Sequence, residues 1–89
     1  MTPMYLINVV QHTNQDAVTV YWTTVPSAQQ YKLQYRELGS DTWSPESNTL
    51  RNYRKIFSLT ENTEYEVQFS AKVAGVWQDW SETFNFTCD

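Results

Sequence analysis

The chain has 89 residues, ten carboxylates against six Lys and Arg, a formal net charge of −4 and a sequence pI near 4.7. That length supplies one hydrophobic core, read as a single domain over residues 1–89, with a stability on the order of 4–13 kcal/mol. Six scattered cations are too few to displace the counterions of a phosphate backbone, so nucleic acid is not an expected partner. No apolar run approaches the ~18 residues of a membrane span, and Met1–Met4 lacks the basic start and apolar middle of a signal peptide. A domain cut from a longer secreted protein would look the same.

Alternation with a period of two recurs along the chain and a period of 3.6 does not, which predicts an all-β fold. Tyr5–Gln11 reads as a first strand and Ala17–Thr23 as a second, with Val18, Val20 and Trp22 on one face and a polar turn at 12–16 before it. Gln30–Leu38 is a third, whose Tyr31, Leu33 and Tyr35 oppose Lys32, Gln34 and Arg36. Gly39-Ser40-Asp41 turns the chain into a short fourth strand around Trp43, limited by Pro45 to an edge. Tyr53–Ser58 is a fifth strand of open register. Either Ile56 and Leu59 point inward, leaving Tyr53 and Phe57 outside with Lys55, or the register slips by one and Phe57 is core.

Glu64–Val73 alternates most regularly, with Tyr65, Val67, Phe69, Ala71 and Val73 inside and Glu66, Gln68, Ser70 and Lys72 outside. Leu59, six residues before Tyr65 with a polar turn between them, forms the pattern of a tyrosine corner, in which the Tyr hydroxyl bonds back to the upstream backbone. Ala74-Gly75-Val76 opens a loop, and Trp80–Cys88 is the last strand, with Phe84, Phe86 and Cys88 on its buried face. Seven strands of this spacing make two packed antiparallel sheets, and an odd number sends the termini to opposite ends.

The order Val18-Thr19-Val20-Tyr21-Trp22, Tyr31-Lys32-Leu33-Gln34-Tyr35-Arg36-Glu37, Trp43 and the Leu59–Tyr65 corner resembles the fibronectin type III domain over nearly the whole chain. The resemblance implies a seven-stranded antiparallel immunoglobulin-like β-sandwich, used as a spacer, adhesion module or receptor ectodomain unit. Trp77-Gln78-Asp79-Trp80-Ser81 also resembles the Trp-Ser-x-Trp-Ser box of the membrane-proximal module of cytokine receptors, with its first Ser replaced. That likeness implies a ladder of tryptophans and cations, here Lys72 and Arg36 between Trp77 and Trp80. Bacterial extracellular fibronectin-like repeats carry a similar Trp-Ser pair, and Phe86-Thr87-Cys88 resembles their ending.

The chemistry-bearing residues do not assemble into a catalytic set. His12 has no nucleophile in a recognisable signature beside it, and Asp41, Glu46, Asp79 and Glu82 lie on separate turns. No His/Cys cluster or Asp-rich loop suits a metal, Gly39 and Gly75 stand apart, and Arg-Gly-Asp is absent. The expectation is a non-enzyme without cofactor or metal. Trp43, Trp77, Asp79 and Trp80, supported by Arg36 and Lys72, are the candidate partner-binding residues, because Trp dominates interface hot spots. Trp77 and Trp80 read equally as packing, and Trp43 as a cover over its sheet.

Trp22, Leu59 and Tyr65 are structural candidates. Asn85-Phe86-Thr87 fits the glycosylation pattern, with Asn85 outward. Cys88, the sole cysteine, reads as a small buried hydrophobe, as half of a bond to something beyond these residues, or as a reactive thiol. Together these readings predict a protein-interaction module of an extracellular or cell-surface protein, monomeric in isolation, whose partner is another protein or a neighbouring domain. A spacer domain of a secreted protein or enzyme is the second reading.

Overall fold

A computed structural model describes residues 3–89. Eight strands, β1 (Leu6–His12), β2 (Ala17–Trp22), β3 (Ala28–Glu37), β4 (Ser47–Thr49), β5 (Tyr53–Ile56), β6 (Thr63–Val73), β7 (Val76–Trp77) and β8 (Phe84–Cys88), form two antiparallel sheets. One sheet runs β1-β2-β5. The other runs β4-β3-β6, with β7 and β8 both pairing the far edge of β6. The eighth strand, absent from the sequence reading, arises because the last strand is broken in two. Residues 74 and 75 make a two-residue hairpin with φ of 51° at Ala74 and 80° at Gly75, the double positive φ that a tight right-twisting hairpin requires. Val76 therefore turns straight back onto Val73 instead of opening a loop.

The break follows from register. Trp77 faces Lys72 and Phe84 faces Val67, so five steps along β6 are matched by seven along the returning chain. Two residues are left over and the intervening segment bulges. The expected strand over 80–88 thus begins only at Phe84. The expected fourth strand around Trp43 is also displaced: Trp43 lies in the loop before β4, whose Ser47, Asn48 and Thr49 pair with Leu33, Lys32 and Tyr31. Ser44 fastens that loop earlier, its N–H reaching Tyr35 O at 2.8 Å and its Oγ accepting from Tyr35 N–H at 3.0 Å.

The core lies between the inner faces. Val18, Val20, Trp22, Leu33, Ile56, Leu59, Tyr65, Val67, Phe69, Ala71, Phe86 and Cys88 are buried together. Trp22 stacks on Phe69 with centroids 4.7 Å apart and meets Tyr31 edge-on at 5.8 Å, so one indole joins the two sheets. Among the described residues its buried Nε1–H has no hydrogen-bond partner. That orphan costs about 1–3 kcal/mol, less than the ~4–6 kcal/mol gained by removing a ring of 150–250 Å² from water. Ile56 and Leu59 point inward and Phe57 is exposed, so the register of β5 is the first of the two expected. Val73 and Phe84 are only partly buried, at the two ends of the seam.

Thr60 N–H donates to Tyr65 Oη at 2.7 Å, closing the corner, while Asn62 takes the turn's left-handed position at φ 57°. At the opposite end Thr23 N–H donates to Tyr5 O, and Tyr5 N–H to Thr23 Oγ1, both at 3.0 Å. Gln11 Nε2 donates to Thr87 O and Asp89 N–H to Gln11 Oε1, so the C-terminal residues sit at the far end of β1 from Tyr5. The two described ends thus lie at opposite poles of a body measuring 38 × 25 × 19 Å. β7 and β8 count as one traverse, which preserves the odd-number argument.

Cys88 is buried beneath this pole, and burial, followed by the carboxylates of Asp16, Asp89 and Glu61, pushes its thiol pKa up. The geometry is that of a packed hydrophobe and not of a nucleophile. Replacing Tyr65 by Phe keeps the ring but removes the acceptor for Thr60 N–H. We expect a loss of about 1 kcal/mol, read as a lower urea midpoint at unchanged slope; an unchanged midpoint would show that the corner bond contributes nothing.

Candidate interaction surface

The outer face of the β4-β3-β6-β7 sheet carries most of the candidate residues. Its polar rows come from the pairing of β3 with β6: Lys32 opposite Ser70, Gln34 opposite Gln68, Arg36 opposite Glu66. Gln34 Nε2 donates to Gln68 Oε1, and Arg36 Nε bonds Glu66 Oε1 at 2.9 Å. Onto this face the chain after β7 folds back. Gln78 N–H donates to Ala71 O at 2.8 Å and Ser81 N–H to Phe69 O at 2.7 Å. Phe69 N–H returns a bond to Ser81 Oγ at 2.9 Å, and Ser70 Oγ donates to Gln78 O at 2.6 Å. Ser70 points away from the core, as its alternation requires, yet is fully buried because this segment covers it. Ser70 is outward as expected, and the fold-back alone removes it from solvent.

In an unbroken strand, residues three apart would project from opposite faces. The bulge shifts the phase, so Trp77 and Trp80 both reach the outer face. Lys32 lies against both, its Nζ 4.6 Å from the Trp77 centroid and 4.9 Å from the Trp80 centroid. Glu46 Oε1, 3.2 Å from the same Nζ, balances its charge. The expected pair of cations between these rings, Lys72 and Arg36, is therefore replaced by Lys32. Lys72 sits at the margin, 5.9 Å from Trp77. Arg36 instead covers Trp43 at 4.1 Å, so Trp43 is a lid on its own sheet although it lies outside a strand.

Lys32 and Glu46 lie outside the sequence expectation, which takes its cations from Lys72 on the sixth strand and Arg36 on the third. The signal was present: Lys32 alternates with Arg36 on the same face of the third strand. Asp79 is exposed on the folded-back segment, between two half-buried tryptophans. Beneath that segment lies a groove of about 230 Å³ lined by Met4, Val25, Pro26, Val73 and Trp80 among others. Asn85 is exposed on β8, its Nδ2 donating to Glu64 Oε2 at 2.9 Å. His12 Nε2 lies 2.7 Å from Thr19 Oγ1 on the other sheet. Among the described residues no group of three or more His, Cys, Asp or Glu is placed to hold a metal, and no helix is long and apolar enough to cross a membrane.

A two-sheet sandwich with a tyrosine corner, an inter-sheet tryptophan and a cation–π face defines a class of β-sandwich modules. The fibronectin type III domain family matches residues 3–87, and the chain belongs to it. Over 58 residues, 65% of this chain, it is 36% identical to the titin homolog of Caenorhabditis elegans, while spanning 0% of that protein's length to the nearest per cent. The fold is shared with a solution structure of a human fourth FNIII domain, at TM-score 0.80 and 11% identity over 98% of this chain and 78% of that one. A structure described as "Myokine structure" gives TM-score 0.74 and 21% identity over 98% of each chain.

Replacing Lys32 by Met keeps most of the aliphatic stem and removes the cation from both rings and from Glu46. We expect a loss of about 1–2 kcal/mol and altered tryptophan emission, with a smaller loss for Lys72→Met. An equal or larger effect of Lys72→Met in denaturant titrations would reverse this assignment of the central cation.

Proposed function

We propose that this chain is a non-catalytic protein-interaction module of a longer receptor- or adhesin-type protein at the cell surface. It engages its partner through the segment 78–82 and the outer face of the β4-β3-β6-β7 sheet. The observation that carries this reading is the seating of Lys32 of β3 against Trp77 and Trp80, which together with the backbone bonds to β6 fastens the segment bearing Asp79. A loop fixed before the encounter loses little conformational freedom on binding, so its exposed groups count more fully toward affinity. In this reading Asp79 and the free edges of Trp77 and Trp80 make contact, while Arg36, Trp43 and Lys72 brace the surface. In this reading Asn85, exposed on β8 opposite Glu66 at the margin of the same outer face, is the glycan acceptor.

A second reading, the spacer, is favoured by the ends at opposite poles and by the match to a small part of a far longer protein. Such a domain would hold its neighbours apart and bind nothing through this face. Retention experiments separate the two. Wild type and an Asp79→Ala/Trp80→Ala variant, each first shown to melt cooperatively, are immobilised and exposed to an extracellular fraction. The interaction reading expects a protein held by the wild type and lost by the folded variant. Equal retention by both, or none by either, favours the spacer. The cell-surface assignment further expects a glycosidase-sensitive mass increment after expression in secreting eukaryotic cells, lost in Asn85→Gln; secretion with Asn85 unmodified counts against it.

A further inference from the structure

Three of the six cations stand on β3 and β6. Lys32 and Arg36 are ion-paired with Glu46 and Glu66, and Lys72 lies beside Trp77. The other three, Arg51, Arg54 and Lys55, fall within five residues at and just before β5. None of the three joins an ion pair among the described residues; Lys55 Nζ meets only an amide oxygen, Gln15 Oε1, at 2.7 Å. In a chain of net charge −4, Arg51 and Lys55 thus stand on the outer face beside unclaimed apolar surface, and Arg54, at the parity of Ile56, is exposed on the other side of the strand. Arg51, Tyr53, Lys55 and Phe57 alternate onto the outer face, with Arg51 5.8 Å from the Tyr53 centroid and Lys55 5.0 Å from that of Phe57. Tyr21 packs beside Tyr53 at 5.3 Å. Leu50 is 75% exposed, Phe57 59% and Tyr53 36%.

The backbone of β5 is open on one side. Among the described residues it pairs only with β2, and Trp22 N–H donates to Asn52 O at 3.0 Å. By the alternation of an antiparallel ladder, Arg54 and Ile56 then direct their peptide groups toward β2, and Tyr53 and Lys55 direct theirs to the open edge. These are the two residues whose side chains also stand on the aromatic, cationic face.

We infer that the β5 edge, with Arg51, Arg54, Lys55, Tyr53 and Phe57, is a docking site for an extended acidic segment of another polypeptide, added as a further strand. The charge determines the occupant. A second copy pairing antiparallel along the same edge would bring two sets of three unpaired cations together, and like charges directly opposed destabilise a strand pair. An acidic strand meets the same cations favourably, its peptide groups complete those of Tyr53 and Lys55, and its apolar side chains cover Tyr53 and Phe57. A sulfated polysaccharide satisfies the cations but has no peptide ladder to offer. This surface belongs to the sheet opposite the one proposed above for partner recognition, so either can fail without the other.

A displayed library of random peptides of about ten residues, long enough to span the edge at ~3.3 Å per residue, tests it. The library is selected on the wild-type domain and counter-selected on an Arg51→Gln/Arg54→Gln/Lys55→Gln variant. A thermal melt first establishes that the variant is folded. Enriched peptides are expected to be acidic with an aromatic or aliphatic residue, and to weaken about tenfold or more in the variant or in the wild type at high salt. On binding, the Tyr53 and Lys55 amides should slow in hydrogen exchange, the mark of an added strand that adsorption by charge alone would not leave. The inference is overturned by enrichment without acidic bias, by exchange protection elsewhere, or by a heparin-derived hexasaccharide binding in preference while no peptide protects those amides. If the variant is unfolded, high salt on the wild type supplies the charge test.

Discussion

Strand β6 is paired along both of its edges, with β3 on one side and with β7 and β8 on the other, and the rest of the molecule is arranged around that constraint. Because side chains alternate across a strand, its eleven residues serve two surfaces at once. Tyr65, Val67, Phe69 and Ala71 fill the core, where Phe69 receives the indole of Trp22 from the opposite sheet. Glu66, Gln68, Ser70 and Lys72 form the floor of the outer face. A slip of one residue in this strand would exchange core for surface and destroy both, which is why burial of the one face fixes the geometry of the other.

The outer face depends on a mismatch and not on a regular ladder. Two surplus residues between β7 and β8 lift the segment 78–83 off the strand line. Backbone bonds from Gln78 and Ser81 to Ala71 and Phe69 hold its ends, and the seating of Trp77 and Trp80 against Lys32 closes it. Each cation–π contact contributes only about 0.5–1 kcal/mol at such exposure. That is small beside the core and large for a six-residue segment, so it bears most on local order while adding modestly to global stability. On the other sheet the reverse holds: among the described residues the cations at and before β5 join no ion pair, and Tyr53 and Phe57 remain exposed.

Much of this was legible in the residues. The alternation of Val18, Val20 and Trp22, of Tyr31, Leu33 and Tyr35, and of Tyr65 through Ala71 reports burial directly, because each of these strands has one face against the core. Leu59 and Tyr65 report a specific hydrogen-bonded turn. The strand expected around Trp43 after the Gly39-Ser40-Asp41 turn is instead a loop, which Ser44 fixes through bonds to Tyr35 that no periodicity signals. The fold-back after Trp77 was illegible for a similar reason: a bulge is a relation between two strands, set by the register of β6 against two separated partners. Lys32 was read as an ordinary outward residue, since its companions come from 45 and 48 positions downstream, at Trp77 and Trp80.

Residue-resolved hydrogen exchange on the native domain tests the central claim, that backbone bonds to β6 and the seating of Trp77 and Trp80 on Lys32 of β3 hold the segment after β7 in place. The account predicts that the Gln78 and Ser81 amides are protected to within about tenfold of the Phe86 amide in β8, although no regular strand contains them. Exchange of Gln78 and Ser81 at the rate of an unstructured peptide, with β6 and β8 still protected, would contradict it.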